Sequence, residues 1–283
     1  MNCQPFPLEF LRSLAVTGPD AGSFLQNQLS SDVGEVTAVR GQLSAWHDAK
    51  GRVLAVLRVL PWHAGYVLVM PTRLAPPVEQ RLRMYVLRAR VTLEAGPAVH
   101  ALAAACEAPR WAAAGPGLPP AALGAAHDDT ISILRMPGNS GWLIAADLGA
   151  NAGPADPAAA AAWELAELEA GIPEVYLETS GQFLAQMLNL DRIGAISFTK
   201  GCYPGQEIVA RAHHLGRVKR RARLFRAAGA PPAPGDALAD SAGSVVRAAP
   251  DGSECLLMAV VAEDAPGPFS LLDGRRLVPC PAA

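Results

Sequence analysis

Apolar and polar positions in the first third of the chain follow the pattern of antiparallel strands. Three apolar segments, QLSAWHD, RVLAVLRVL and YVLVM, lie between residues 42 and 70 and are separated by the turn sequences DAKG and PWHAG. Such spacing predicts a three-stranded meander. An apolar strand over 11–16 precedes it, helical spacing follows over 74–87, and residues 91–93 return as a strand. We therefore expect a first unit of antiparallel sheet and helix.

A second unit of the same kind follows a weakly periodic connection that is rich in Ala, Gly and Pro, and the boundary between the units is expected near 95–130. Residues 131–136 and 142–146 predict a hairpin around Pro-Gly-Asn. Residues 156–168 predict a helix that ends before Gly171, a residue suited to a left-handed C-cap. Two sheet-plus-helix units of this kind indicate the α+β class.

The C-terminal part is set off by the sequence AGAPPAPG after Arg226. Beyond this break, residues 227–283 contain short apolar strands separated by turns, which predict a small C-terminal β-barrel domain. The expected organisation is thus a module over 1–226 made of two α+β subdomains, followed by the barrel.

Composition narrows the class of protein. The chain has 283 residues, 51% hydrophobic and 18% charged, with a net charge of -2, which is ordinary for a soluble protein. Its five cysteines are odd in number and lack any C-x-x-C pair, so neither a disulfide framework nor a closed zinc site is expected, and a reducing cytoplasm fits best. The N-terminus lacks a signal-peptide pattern, and no apolar run is long enough to predict a membrane span.

Residues 200–223, KGCYPGQEIVARAHHLGRVKRRAR, concentrate the chemistry of the chain. This segment holds seven Lys and Arg residues against one acid, so a nearly neutral protein has one local positive region. Gly201 and Gly205 permit a sharp turn around Cys202. The cations Lys200 and Arg211 would favour its thiolate, which is the reactive form of cysteine. The alternative is that Cys202 is a small buried apolar residue in a turn.

The histidines and arginines that follow have alternative interpretations. His213 and His214 are candidate metal ligands, but no Cys or Asp lies at ligand spacing, and no metal site is predicted. The basic residues of 211–226 could contact nucleic acid, or they could form the solvated edge of a strand.

The sequence KGCYPGQE, followed by IVAR, resembles the K-G-C-Y-x-G-Q-E signature of the YgfZ and GcvT-like folate-binding family. The similarity extends upstream through SGQF, NLD and GAISF, and it can be followed from about Leu14 to the C-terminal strands. It implies that residues 1–226 are a folate-binding module built around a central cavity. It also implies that tetrahydrofolate or another reduced folate is the cofactor, and that the protein supports iron-sulfur enzymes, including those that modify tRNA, or their assembly machinery.

The resemblance also assigns roles to individual residues. Trp163 would stack on the pterin ring and Glu169 would accept its N–H groups, chemistry that suits an aromatic face and a carboxylate; read without the family, Trp163 is a core residue. Cys202 would be the reactive group beside bound folate, with Lys200 and Arg211 stabilising its thiolate. The other residues expected to bind the cofactor or fix the loop are Gln26, Asn27, Tyr203, Gln206 and Glu207, of which Gln26 and Asn27 could equally be plain solvated positions.

Two departures from the family pattern bear on function. Leu11 stands where a second stacking tryptophan is found in relatives, and the hairpin KGRVLA at 50–55 lacks the catalytic acid of the glycine-cleavage aminomethyltransferases. A folate-dependent one-carbon transferase is therefore the second hypothesis, and a non-enzymatic RNA or protein adaptor that uses residues 211–226 is the third. Whether the protein catalyses a reaction is left open by the sequence.

Overall fold

A computed structural model describes residues 4–106, 115–214, 216 and 218–280. These residues form three antiparallel five-stranded sheets and four α-helices. The helices are α1 (Ala21–Gln26), α2 (Ala75–Val86), α3 (Pro157–Glu169) and α4 (Gln206–His214). No helix in the described part of the chain has the length and apolar character required to cross a membrane.

The first sheet contains the predicted meander. Its strands are β2 (Leu11–Thr17), β3 (Gln42–His47), β4 (Val53–Trp62), β5 (Gly65–Pro71) and β6 (Thr92–Ala95), in the order β3-β4-β5-β2-β6. Every residue of β4 is buried, because this strand is covered on both faces. The meander, the return strand and α2 confirm the predictions from apolar spacing.

The second sheet comprises β1 (Phe6–Pro7), β7 (Val99–Leu102), β8 (Ala125–His127), β9 (Ile131–Arg135) and β10 (Trp142–Ala146), in the order β1-β7-β10-β9-β8. The predicted hairpin is confirmed as β9 paired with β10. Helix α3 is confirmed as well. Asp156 caps its N-terminus by accepting from the backbone N–H groups of Ala158 and Ala159, and Gly171 beyond its end has a φ of +72°.

The third sheet is made of β11 (Arg220–Ala228), β12 (Gly243–Asp251), β13 (Glu254–Ala262), β14 (Phe269–Ser270) and β15 (Arg276–Pro279). Their order is β12-β13-β11-β15-β14. Ala237 and Leu238 form isolated bridges to Ser244 on β12 and to Leu271 beside β14, and the predicted closed barrel is not confirmed among the described strands. Strand β11 begins at Arg220, so this sheet includes residues that the sequence pattern placed in the module over 1–226. Helix α3 packs mainly against β12 and β13.

The strand β13 shows how the third sheet joins the rest of the molecule. Alternate side chains, including Leu257 and Val261, pack in the core of the third sheet itself. The intervening ones, Leu256, Met258 and Val260, belong to the large core shared with the first sheet. Because successive residues of a strand point to opposite faces, one apolar run supplies both cores.

Candidate functional site

The loop formed by residues 200–205 lies against the turn between β3 and β4. Gly205 has a φ of +78°, and a Cβ at this position would lie 2.4 Å from the carbonyl oxygen of Asp48 and 2.6 Å from the Cα of Gly51. Glycine tolerates both this backbone conformation and this close approach, and a larger residue would tolerate neither. The C-terminal end of the loop is therefore fixed in position where α4 begins.

Within this loop, the side chain of Cys202 faces solvent as a free thiol. The residues on either side of it are anchored, because Lys200 is 9% exposed and Tyr203 is 6% exposed. The interpretation of Cys202 as a buried packing residue is therefore wrong. The loop presents one thiol to solvent between two buried side chains.

The ammonium group of Lys200 holds the segment that follows α1. Its Nζ donates to the backbone carbonyl oxygens of Gln26, Leu29 and Ser31 at 2.6, 2.7 and 2.9 Å. Burial lowers the pKa of Lys200 to about 8, while Asp32 acts in the opposite direction, so the ammonium form prevails at neutral pH. An ammonium has three donors, and all three are used on carbonyls. The hydrogen bonds of Lys200 thus go to these carbonyls, and stabilisation of the Cys202 thiolate by its charge stays a prediction.

Replacing this ammonium should destabilise the fold. Lys200→Met is expected to lower the free energy of unfolding by about 2–3 kcal/mol, because it removes hydrogen bonds from a charged donor and leaves carbonyl oxygens unpaired. Urea denaturation would measure the loss, with Lys219→Met as the control, since Lys219 is exposed and an effect within about 0.5 kcal/mol is expected there. Unchanged stability together with slower alkylation of Cys202 at pH 7 would instead support a role of Lys200 in stabilising the thiolate.

Tyr203 and His47 form a buried aromatic contact beneath the loop. Their ring centroids are 5.8 Å apart, and the Nζ of Lys200 lies 5.5 Å from the centroid of the Tyr203 ring. Burial raises the pKa of Tyr203 to about 12 and lowers that of His47 to about 4, so both side chains are neutral at pH 7. The ring of Tyr203 thus anchors the loop, and its role in cofactor binding stays a prediction.

Gln206, Glu207 and Arg211 lie on α4, which the sequence pattern did not predict. Gln206 is half-buried at the first turn, and its backbone N–H donates to the carbonyl of Tyr203 at 3.2 Å. Glu207 and Arg211 form an exposed ion pair at 3.5 Å, one helical turn apart. Among the described contacts, neither Arg211 nor Lys200 touches the sulfur of Cys202. The two cations expected to flank the thiol are therefore directed at other partners.

Gln26 and Asn27 are brought next to this loop by the bond between Lys200 and the Gln26 carbonyl. The side chain of Gln26 is engaged locally: its Nε2 donates to Asp32 at 3.0 Å and its Oε1 accepts from the backbone N–H of Val33 at 2.7 Å. Asn27 is exposed at the end of α1. Of these two candidates, Asn27 has the side chain that is open to a ligand.

Trp163 and Glu169 are both on α3 but are not brought together. Trp163 is 2% exposed, and its indole Nε1 is buried without a hydrogen-bond partner among the described residues. A cavity of about 140 Å³ lies against it, bounded also by Phe6 and Ser140. Glu169 faces solvent. The buried carboxylate one turn along from Trp163 is Glu167, which is 0% exposed.

Glu167 belongs to a buried ion cluster where the first sheet, α3 and the third sheet meet. Arg58 on β4 donates to both carboxylate oxygens of Glu167, at 2.7 and 2.9 Å, and to Glu174 at 2.6 Å. Arg247 on β12 lies 3.3 Å from Glu167. This junction is packed with charged side chains, and the central cavity implied by the resemblance is not confirmed there.

The pKa values of this cluster follow from burial and mutual attraction. Burial alone would lower the pKa of Arg58, but Glu167 and Glu174 outweigh it and the pKa is raised. For Glu174, burial raises the pKa, and the attraction of Arg58 and Arg247 only partly offsets it. Arg58 is the one charged residue in the apolar run of β4, and because a charge in such a position is buried only when it is paired, the sequence itself signals a buried ion pair here.

The other cysteines and the histidines differ from Cys202 in their surroundings. Cys255 is a buried free thiol and Cys280 is a half-buried one. Cys106 is disulfide-bonded, whereas the odd number and wide spacing of the cysteines predict no disulfide framework. His213 and His214 have no third ligand nearby, since the described residues contain no group of three or more side chains able to hold a metal ion.

Comparison with known proteins decides the family. No protein-family profile matches the chain. The tRNA-modifying protein YgfZ of Klebsiella pneumoniae is 34% identical over 220 residues, which cover 72% of this chain and 66% of that protein. YgfZ of Edwardsiella ictaluri is 32% identical over 239 residues, covering 78% and 71% respectively. The chain belongs to the YgfZ family.

The fold of this YgfZ family member also resembles that of an enzyme. Aminomethyltransferase T of the glycine cleavage system from Bartonella henselae superposes with a TM-score of 0.74 over 98% of this chain and 85% of that one, at 17% sequence identity. At such low identity the likeness concerns the fold alone. The resemblance noted from KGCYPGQE is thus confirmed at the level of family and of fold.

Proposed function

We propose that this protein binds tetrahydrofolate or another reduced folate in the cytoplasm and supports the assembly or maintenance of iron-sulfur enzymes, including enzymes that modify tRNA. The relatives named as tRNA-modifying proteins support the link to tRNA modification. The observation that carries the proposal is the geometry of the 200–205 loop: Cys202 is exposed while Lys200 and Tyr203 are buried. A fold that fixes a free thiol at its surface is suited to thiol chemistry with another molecule.

The residues at α3 fit a reduced folate in part. A cavity of about 140 Å³ beside Trp163 and Phe6 has room for one flat ring. The Nε1 of Trp163, which has no hydrogen-bond partner among the described residues, offers this ring a donor. The rest of the ligand would have to lie outside this cavity, because sites that enclose ligands of drug size measure about 300–1,000 Å³. Glu169, at the solvent-exposed end of α3, would meet the outer part of the ligand rather than the ring.

Binding can be tested by the fluorescence of Trp163. Titration with tetrahydrofolate should quench tryptophan emission, and Trp163→Phe should lose most of this quenching. The substitution should also weaken binding about tenfold, because the bound pterin ring loses part of its stacking partner and the indole N–H donor. Trp62→Phe is the matched control, since Trp62 lies at the end of β4 and is 9% exposed. Calorimetry should likewise find that the parent and Trp62→Phe bind tetrahydrofolate more tightly than Trp163→Phe does. Equal affinity for folate in the parent and in Trp163→Phe would remove Trp163 from the site.

One-carbon transfer is the weaker candidate despite the shared fold. In the β3–β4 turn, the side chain of Asp48 accepts from the backbone N–H groups of Lys50 and Arg52, both at 2.8 Å. At the positions that follow, Leu54 and Ala55 are buried and apolar. The one carboxylate of this hairpin therefore stabilises the turn, and none is available to activate a folate-bound carbon.

A further inference from the structure

Three aromatic side chains form a platform on the surface next to the Cys202 loop. Phe198 stacks on His213 with ring centroids 3.8 Å apart and planes 17° from parallel. His214 meets His213 edge-on at 4.8 Å and lies 6.1 Å from Phe198. These three distances place about a right angle at His213, so His214 stands beside the stack and does not cover it. His213 is exposed, and among the described residues no ring other than those of Phe198 and His214 packs against it.

Exposed cations adjoin this platform. Arg211 precedes it on α4, and Lys219 and Arg220 follow it at the start of β11. From His214 to Lys219 the chain can span at most about 18 Å, so the cations stay within that distance. Gln186 ties the two elements together, since its side chain donates to the carbonyl of Val209 at 2.7 Å and its own carbonyl accepts from Arg221 at 2.9 Å.

The acids described near the platform form few ion pairs with these cations. No Asp or Glu occurs between Glu207 and Asp236 in the sequence. In space, Asp191 pairs with Arg221 at 2.9 Å, and Glu263 pairs with Arg192 at 3.3 Å. Within the described parts of the chain, Lys219 and Arg220 form no ion pair, and the pair between Arg211 and Glu207 is exposed and long. Exposed ion pairs of that kind contribute little to stability, so a phosphate can replace Glu207 as the partner of Arg211.

We propose that the rings of Phe198, His213 and His214, together with Arg211, Lys219 and Arg220, bind unpaired nucleotides of an RNA. A base would stack on the outer face of His213 and extend the stack begun by Phe198, while the cations contact phosphates. Stacking of bases on aromatic side chains beside a basic strip is the usual means of holding single strands. An acidic peptide would match the cations but would leave the exposed ring of His213 unused. This surface goes beyond the folate and thiol chemistry proposed above.

Fluorescence anisotropy with a labelled single-stranded 12-nucleotide RNA tests the proposal. The parent should bind it more tightly than a duplex of the same sequence. His213→Ala should weaken binding about tenfold through loss of one stacked base, and His213→Phe should bind within about twofold of the parent because it keeps the stacking face. His63→Ala is the control, since His63 is also an exposed histidine that packs on an aromatic ring, Trp62 at 4.5 Å.

The cations are tested by salt dependence. For Lys219→Ala/Arg220→Ala, the slope of log K against log salt should become shallower by about 1.4, because each lost phosphate contact removes about 0.7 for a single strand. The control is the double variant Arg12→Ala/Arg88→Ala, which removes two exposed positive charges elsewhere on the surface and should leave the slope unchanged. A parent that binds no RNA at low salt, equal binding of duplex and single strand, or equal competition by polyglutamate would each overturn the proposal.

The variant Cys202→Ser separates this surface from the proposed function. It should bind the RNA as the parent does, because Cys202 is not part of the platform. If the platform variants bind RNA as the parent does, the platform is not an RNA-binding surface, and the folate and thiol proposal is unaffected. Conversely, loss of the folate signal would not affect the RNA result.

Discussion

Arg58→Met is expected to lower the free energy of unfolding by about 3–5 kcal/mol, because removing one partner of a buried ion cluster leaves uncompensated charge in the interior. Both carboxylates that Arg58 binds, Glu167 and Glu174, are buried at 0% and 2% exposure. A domain of ordinary stability has only about 5–15 kcal/mol to lose. Urea denaturation at pH 7 is the measurement, with Arg58→Lys expected to fall between the parent and Arg58→Met.

The matched control for this change is Arg73→Met. The Arg73–Glu178 pair has the same 2.6 Å separation as Arg58–Glu174, but its side chains are 73% and 45% exposed. Exposed pairs typically contribute about 0–1 kcal/mol, so little change is expected. If both substitutions cost the same, burial of the Arg58 cluster would not be the cause of its contribution.

The pH dependence of Arg58→Met follows from the pKa values of the carboxylates left behind. The pKa of Glu174 is raised by burial even with Arg58 present, and without Arg58 it rises further. A carboxyl whose pKa is higher in the folded than in the unfolded state destabilises the fold increasingly as the pH rises above its unfolded value of about 4.3. The deficit of Arg58→Met relative to the parent should therefore be smaller at pH 5 than at pH 7. If the loss of unfolding free energy in Arg58→Met is the same at pH 5 and pH 7, the unpaired Glu174 carboxylate is not its cause.

Local patterns in the sequence are sufficient to predict most of the strands and helices of the first two sheet-plus-helix units. The meander of β3, β4 and β5 follows from alternation and turn residues, and α3 follows from its Asp156 cap and Gly171. These features depend on neighbours within a few residues. They can therefore be read without knowledge of the tertiary structure.

The same patterns could not predict interactions that depend on distant parts of the chain. The sequence pattern places Arg221 in a solvated or RNA-binding run, yet this residue is 9% exposed and its guanidinium binds Asp191. The family resemblance indicates Glu169, whereas the buried carboxylate is Glu167, whose position depends on Arg58, 109 residues away. The glycines and proline around Cys202 signal a turn, and they conceal that α4 begins at Gln206 immediately after it.

A substitution at Cys202 should have the largest effect on function and little effect on stability. Cys202→Ser is expected to unfold within about 0.5 kcal/mol of the parent, because the side chain is exposed and makes no packing contribution. In cells that lack the native protein, the serine variant should fail to restore the activity of iron-sulfur enzymes, because a hydroxyl cannot supply the thiolate that acts as nucleophile and metal ligand.

The matched control for this substitution is Cys280→Ser, since Cys280 is also a free thiol but is half-buried at the end of the third sheet. Burial raises the pKa of the Cys280 thiol, with Arg226 acting in the opposite direction, so at pH 7 its thiolate fraction is small. Mass-spectrometric mapping of alkylation should therefore find Cys202 labelled first, ahead of Cys280 and the buried Cys255. Cells carrying Cys280→Ser should retain iron-sulfur enzyme activity. If Cys202→Ser supports that activity as fully as Cys280→Ser, the exposed thiol has no part in the function, and the glycines and Lys200 around it serve only to join α4 to the first sheet.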